Sequence, residues 1–213
     1  MRSGRFITFE GGEGVGKSTN IQFCAKWLQE HGVKVVTTRE PGGTVIAELI
    51  REKLLKAHHD EPMDAQAELL LMFAARAQHL NQRIRPELAL GTWVLCDRFT
   101  DSTIAYQGFG RGLPLAQIEQ LKDLVQQGLE PDCTFLLEAP IELGMARARA
   151  RANLGVQEID RFETEQLAFF QRVQQGFNEL ANNNPRIRRI DASGPLAKVQ
   201  AQLSLSLEEL LRA

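Results

Sequence analysis

The chain has 213 residues, 43% of them apolar and 24% charged, with 25 basic and 27 acidic side chains. This length suggests one domain with a substantial core, and this balance excludes wholesale disorder, collagen-like repeats and a disulfide-rich miniprotein. A net charge of −2 gives no reason to expect nucleic acid or a membrane surface as a partner, and the longest apolar run, Leu69–Ala75, falls far short of the roughly 20 residues that a membrane span needs.

In chain order, Phe6–Glu10 reads as a short buried strand ending at a glycine cluster, and Lys17–His31 as a helix stopped by Gly32. Val33–Thr38 is β-branched and strand-like. Thr44–Lys56 reads as a helix, and Ala65–Leu90 as largely helical, with Pro86 as a kink or break. Thr92–Cys96 is a second buried strand. Helix Leu115–Gln127, strand Cys133–Leu137, helices Ile141–Ala152 and Glu163–Ala181, strand Ile187–Ile190 and helix Pro195–Leu211 complete the chain. Strands separated by helices predict βαβ units, an α/β fold with a parallel sheet covered on both faces. Cys24, Cys96 and Cys133 are too few and too scattered for a disulfide framework or a zinc site, so three reduced, buried thiols are expected. MRSGRFITFEGG has no long apolar stretch. We therefore expect no signal peptide, and a cytoplasmic location.

The strongest chemical signal is Gly11-Gly12-Glu13-Gly14-Val15-Gly16-Lys17-Ser18, followed by Thr19, between a predicted strand and a predicted helix. It fits the phosphate-binding P-loop pattern in the context that pattern requires. Glycines let backbone N–H groups converge on phosphate oxygens, and the following helix points its positive end at the same place. Lys17 is expected to reach the β- and γ-phosphates, and Ser18 to ligate Mg²⁺. Asp97 ends the strand Thr92–Cys96 and is placed to hold Mg²⁺ through water or to orient a neighbouring arginine. A turn or helix-capping aspartate is the plainer alternative.

Arg51, Arg76 and Arg98 come from three separate segments. A phosphomonoester with nearly two negative charges would explain their convergence. On a helix, Arg76 shares a face with Phe73 at i−3 and Met72 at i−4, which offers an apolar surface beside a guanidinium. In the run Met145–Ala152, alanine and arginine favour helix over an alternating strand. Arg147 and Arg151 then share a face directed at ATP, and Arg149 faces solvent or a salt bridge. Asn153–Asp160, with Arg161 at its far end, reads as a lid. Asp191-Ala192-Ser193-Gly194-Pro195 is either a loop over adenine or an ordinary turn before a helix.

FEGGEGVGKST, TREPGGT, LLLMFAARAQHL, VLCDRFTDSTIAYQG and IDRFE together resemble the bacterial thymidylate kinases, across nearly the whole chain. The resemblance implies a three-layer P-loop kinase fold, about five parallel strands and a short Arg-rich lid near 147–161. It also implies transfer of the γ-phosphoryl group of ATP to dTMP with Mg²⁺, in a homodimer. It assigns Glu13 to the sugar 3′-OH and to arranging magnesium. It assigns Pro41 and Arg51 to the monophosphate pocket, Arg76 to a thymine carbonyl or the acceptor phosphate, and Arg98 to that phosphate. Thr103 and Gln107 would read the thymine edge, with Tyr106 packed nearby. The family usually carries its stacking Phe at the position of Met72. Because a ring stacks better than a thioether, Phe73 is the expected partner of the base. Gly14 stands where some members carry an arginine, so transition-state charge is expected from the lid, Arg151 above all. The catalytic set is then Glu13, Lys17, Arg98 and Arg151. The acceptor phosphate is already anionic, so no general base is needed. A kinase for another nucleotide or nucleoside, and a P-loop switch or partitioning ATPase, are the competing readings.

Overall fold

The computed structural model describes residues 4–55, 60–153 and 165–212, with side chains through Ala150 in the middle segment. Five strands form one parallel sheet in the order β2-β3-β1-β4-β5, with β1 Phe6–Glu10, β2 Val35–Arg39, β3 Trp93–Asp97, β4 Cys133–Glu138 and β5 Ile187–Asp191. Side chains alternate across β1. Ile7 and Phe9 enter a core with Cys24 and Leu28 of helix α1 (Lys17–Glu30) and Leu203 and Leu207 of the last helix, Leu196–Arg212. Phe6 faces the other way, onto Leu80, Ile84, Val94, Cys96 and Phe99. Both faces of the central strands β1, β3 and β4 are therefore dry, which is why they read as largely apolar runs, while the edge strands β2 and β5 are partly exposed. Removing a side chain such as Phe9, 0% exposed, would cost about 3 kcal/mol or more.

Helix α2 (Val45–Ile50) is capped by Thr44, whose hydroxyl accepts from Ala47 N at 3.3 Å, and continues as a wide turn over Arg51–Leu55. Asp64 caps α3 (Ala65–His79) by accepting from Gln66 N and Ala67 N. Leu80–Ile84 is a wide π turn leading into α4 (Arg85–Ala89). Pro86 sits in the first turn of α4, after the π turn, and the backbone stays helical on both sides of it.

Thr100–Gly110 carries no helix in the sequence reading, and here the structure differs. The stretch forms a short helix α5 (Thr100–Thr103) prolonged by a π segment, Ile104–Gly110. Threonine, serine and glycine give it little intrinsic helix propensity. Tertiary contacts supply the stability instead. Gly176 of the helix Leu167–Asn183 lets Phe109 and Ala105 approach closely, and Gly110 does the same for Phe169 and Val173. A bidentate ion pair from Arg186 to Asp101, both bonds 2.8 Å, ties α5 to the start of β5. The remaining helices are α6 (Leu115–Gln126), α7 (Ile141–Asn153), α8 (Leu167–Asn183) and α9 (Leu196–Arg212). Among the described residues no helix is long and apolar enough to cross a membrane, and the cysteines at 24, 96 and 133 are free and buried.

Candidate active site

The carboxyl ends of β1, β3 and β4 meet at one edge, where open parallel sheets bind ligands. The loop after β1 runs through Gly11, Gly14 and Gly16 at φ of 130°, 70° and 90°, conformations a side chain resists. Gly16 is the N-cap of α1. Lys17 Nζ donates to the carbonyls of Gly11 at 3.2 Å and Gly12 at 2.9 Å, so its ammonium lies inside the cradle. Burial, reinforced by Arg98, lowers its pKa, while Glu13, Asp97 and Glu10 oppose the shift. Ser18 and Thr19 are exposed at the mouth.

Gly14 also explains its own lack of a side chain. A Cβ there would stand 1.8 Å from the Gly144 carbonyl oxygen, and a Cβ on Gly144 would stand 2.3 Å from Glu13 O. Helix α7 thus docks on the P-loop backbone to backbone. Its arginines belong to an element anchored at the cradle. Arg147 donates to Ala192 O at 2.9 Å and Ser193 O at 3.2 Å, joining α7 to the loop after β5. Arg149 is exposed. The side chain of Arg151 and residues 154–164, including Arg161 and most of the expected lid, lie outside the described residues.

On the acceptor side, Arg98 adopts φ 68°, in the left-handed region, and its N–H donates to Phe9 O at 2.9 Å. Such backbone strain persists only where surroundings impose it. Here the guanidinium donates to Gly11 O at 3.0 Å, Ser102 Oγ at 3.0 Å, Glu13 Oε1 at 2.6 Å and Tyr106 Oη at 3.0 Å, and it lies 4.8 Å from the Tyr106 ring. Tyr106 Oη donates to Glu13 Oε1 at 2.7 Å. Burial disfavours the charge on Arg98, but Tyr106, Glu13, Asp97 and Glu10 outweigh it and hold the guanidinium firmly protonated.

Arg76 is 3% exposed. Its Nε donates to Glu40 Oε2 at 2.7 Å and its Nη2 to Thr103 Oγ1 at 2.9 Å. Glu40 Oε1 bonds His79 Nδ1 at 2.9 Å, and His79 Nε2 bonds Thr38 Oγ1 at 2.6 Å. Burial pushes the Glu40 carboxyl up, but Arg76 and His79 hold it below the usual carboxylate range. The third nitrogen of Arg76, Nη1, is buried with no hydrogen-bond partner among the described residues. Arg51 donates to Pro41 O at 2.9 Å. Gln107, 1% exposed, donates to Glu68 Oε1 at 2.8 Å.

The structure thus brings Glu13, Lys17, Arg98 and Tyr106 into one cluster, with Arg76 and Thr103 bonded to each other beside it. Arg51 meets Pro41, and Gln107 meets Glu68. Phe73 is placed differently from the sequence expectation. Its ring, 2% exposed, packs with Leu69 and Ile118 between α3 and α6, and the Arg76 guanidinium lies 4.8 Å from it. Met72 is half-buried and packs against the cluster that holds Tyr106 and Phe170.

Sequence reasoning missed Glu40, Glu68, His79, Ser102 and Arg111. One signal was available: Glu68, Arg76 and His79 fall at i, i+8 and i+11 on a mostly apolar helix, so polar groups recur on its buried face. For Mg²⁺ the available donors fit. Ser18 Oγ donates to Asp97 Oδ2 at 3.3 Å, placing two hard oxygens at the mouth of the cradle. Among the described residues no group of three His, Cys, Asp or Glu side chains is arranged to hold a metal by itself. Phosphate oxygens and water would complete the shell, as magnesium prefers.

Residues 9–203 match the family model described as "Thymidylate kinase". A thymidylate kinase of Teredinibacter turnerae is 56% identical over 210 residues, 98% of this chain and 100% of that protein. One of Chromohalobacter salexigens is 56% identical over 212 residues, covering 99% of this chain and 98% of that one. The crystal structure of the thymidylate kinase from Ehrlichia chaffeensis superposes with a TM-score of 0.75 at 36% identity, covering 96% of this chain and 99% of that one. A phosphate cradle bonded to Arg98, on a fold and a sequence shared from end to end with these proteins, places the chain in the thymidylate kinase family.

Proposed function

We propose that this chain transfers the γ-phosphoryl group of ATP to dTMP, giving dTDP and ADP. The Arg98 guanidinium carries the reading. It bonds the P-loop at Gly11 and Glu13 and the acceptor-side segment at Ser102 and Tyr106. Positive charge therefore sits between the two pockets, where an acceptor phosphate and a γ-phosphate would meet. Arg76 directs the choice of acceptor. Its unpartnered Nη1 calls for an acceptor oxygen, which the C4 carbonyl of thymine supplies.

In the reaction, an oxygen of the dTMP phosphate attacks the γ-phosphorus in line. A new P–O bond forms, the bond to the β-bridging oxygen breaks, and ADP leaves. Backbone N–H groups of Gly11–Gly16 and the Lys17 ammonium hold the donor tail. Lys17 leaves the Gly11 and Gly12 carbonyls for the phosphates as they arrive. Arg98 orients the acceptor phosphate and neutralises charge, and Glu13, held by Arg98 and Tyr106, takes the sugar 3′-OH. Ser18 and Asp97 are the residues that would hold Mg²⁺, which would supply positive charge to the donor phosphates. Phe73 acts through Arg76, whose guanidinium it faces, and Met72 offers the half-buried surface for the base. Arg51 closes the monophosphate pocket through Pro41. Arg147 and the loop at Ala192–Ser193 flank adenine, and Arg151 is the arginine we assign to the transferring phosphoryl group.

We also place the enzyme in the cytoplasm, consistent with three buried free thiols, and as a homodimer. Supporting the dimer, Val45, Ile46 and Leu49 of α2 and Leu70 of α3 are exposed apolar residues on helices that pack together. A single sedimenting species at twice the chain mass is expected.

A coupled ADP-release assay with dTMP, dUMP, dCMP and thymidine tests the central reading. dTMP should support the fastest turnover. Turnover of thymidine with none of dTMP would make the chain a nucleoside kinase. dTMP alone should also raise Tm, whereas a switch ATPase would respond only to di- and triphosphates.

A further inference from the structure

Glu68 is a fully buried carboxylate on the acceptor side, and the reaction above does not use it. It lies in the first turn of α3, four residues before Met72 and eight before Arg76, and is 0% exposed. Its Oε1 accepts from Gln107 Nε2 at 2.8 Å and Arg111 Nε at 3.3 Å, and its Oε2 accepts from Arg111 Nη2 at 3.2 Å. Arg111 also donates to Glu165 beside α8 and lies 4.8 Å from the Phe169 ring, so it is held from two sides.

A carboxylate paired with a guanidinium only accepts hydrogen bonds. The amide nitrogen of Gln107 must therefore turn toward Glu68, and its carbonyl oxygen turns away. Among the described residues no donor is bonded to that oxygen. The amide is not free to choose its face, although an isolated glutamine is equally able to donate or accept. Thymine and uracil present an N3–H donor beside a C4 carbonyl acceptor. Cytosine presents a bare N3 acceptor beside an amine donor. The carbonyl of Gln107 and the unpartnered N–H of Arg76 match the first pattern and clash with the second.

We propose that Glu68 is a specificity-positioning residue: it locks the Gln107 amide with its carbonyl oxygen toward the base, selecting pyrimidine monophosphates with an N3–H over those of the cytosine type. This deepens the dTMP kinase reading and rests on it.

The test measures the ratio of dissociation constants for dCMP and dTMP, with kcat/KM on dTMP alongside. It uses the full chain, Glu68→Gln, Gln107→Leu and the double variant. An amide at 68 can pair with either end of the Gln107 amide, so the lock is lost. The ratio should fall about tenfold in Glu68→Gln, the size of one well-made hydrogen bond. It should fall about as far in Gln107→Leu, and no further in the double variant. A ratio within twofold of the original in a folded Glu68→Gln protein overturns the proposal. So does an equal further fall when Glu68→Gln is added to Gln107→Leu, which marks a merely structural role. If Glu68→Gln does not fold, Gln107→Leu decides alone: an unmoved ratio overturns the proposal. Failure of the unaltered chain to phosphorylate dTMP at all overturns the functional reading and this inference together. Normal dTMP turnover with an unmoved ratio overturns only this one.

Discussion

The donor half and the acceptor half of the site hold their ligands by different means. The donor half is a backbone device. Its glycine turns aim N–H groups, Val15 and Lys17 are buried within it, and Ser18 and Thr19 stand exposed at its mouth. The acceptor half is a lattice of buried side chains already bonded to one another. Arg76 is 3% exposed, Glu40 4%, Gln107 1% and His79 0%, and all four are joined to named partners before any ligand arrives. A backbone nest recognises a phosphate chain whatever nucleoside carries it. A preset array of donors and acceptors recognises one base edge and leaves its own buried groups unpaired with a wrong one, which is how large discrimination arises. Arg98 bonds both halves, and Tyr106 reaches across to Glu13 as well.

That division can be broken by experiment. The largest effect is expected from Lys17→Ala, which should lower kcat by about 10³-fold while dTMP alone still raises Tm. Loss of the dTMP response as well would mean that the halves are not separable. Next comes Arg98→Ala, expected to lower kcat/KM about 100-fold for both substrates, since this side chain spans the divide. An effect confined to one substrate in steady-state kinetics would assign Arg98 to one half only. Arg76→Gln should act on the acceptor alone, raising KM for dTMP about 20-fold and leaving KM for ATP near its original value. Arg147→Ala should do the reverse on a smaller scale, raising KM for ATP about threefold, because its contacts are two carbonyls at the margin of the site.

The smallest effect on turnover is expected at Glu10, whose influence shows in stability. Its carboxyl accepts from Phe99 N at 2.7 Å and bonds Ser102 Oγ. Burial and then the charge of Asp101 raise its pKa from 4.5 to about 8, against the pull of Ser102 and Arg98. The folded chain therefore keeps this proton across a window in which the unfolded chain has lost it. The stabilisation is complete below about pH 4.5, falls as pH rises through the window and levels off above about 8. It amounts to several kcal/mol, on the order of 5, at about 1.4 kcal/mol for each pH unit of that window. Tm of the native chain should fall between about pH 5 and pH 8, and Glu10→Gln should flatten that slope. An equal slope in both proteins would assign the titration to another group.

The contrast between the halves also explains which parts could be read from residues alone. The cradle is contiguous, Gly11 to Thr19, and its glycines, lysine and serine act through local geometry, so its spacing carries its meaning. The central strands were equally legible, because strands covered on both faces write themselves as apolar runs. The acceptor lattice is assembled from positions 36, 39 and 43 residues apart. No spacing rule links Glu40 to Arg76, or Glu68 to Arg111. Met72 and Phe73 show the limit sharply. Both lie on α3, and ring chemistry favours Phe73 as the face for a base, yet one residue of helix is about 100° of rotation. That rotation sends Phe73 into the contact with α6 and leaves Met72 beside Tyr106.

By itself, then, the amino-acid sequence determined the α/β class, the place of the phosphate cradle and which arginines are candidates for an acceptor pocket, because these depend on periodicity and on chemistry within a few residues. Only the tertiary structure decided that Thr100–Gly110 coils into a helix, that Arg98 bonds both sides of the site, and which face of α3 meets which neighbour. Those outcomes depend on contacts between distant segments. Burial there fixes how each polar group is paired, and an unpaired one is too costly to leave.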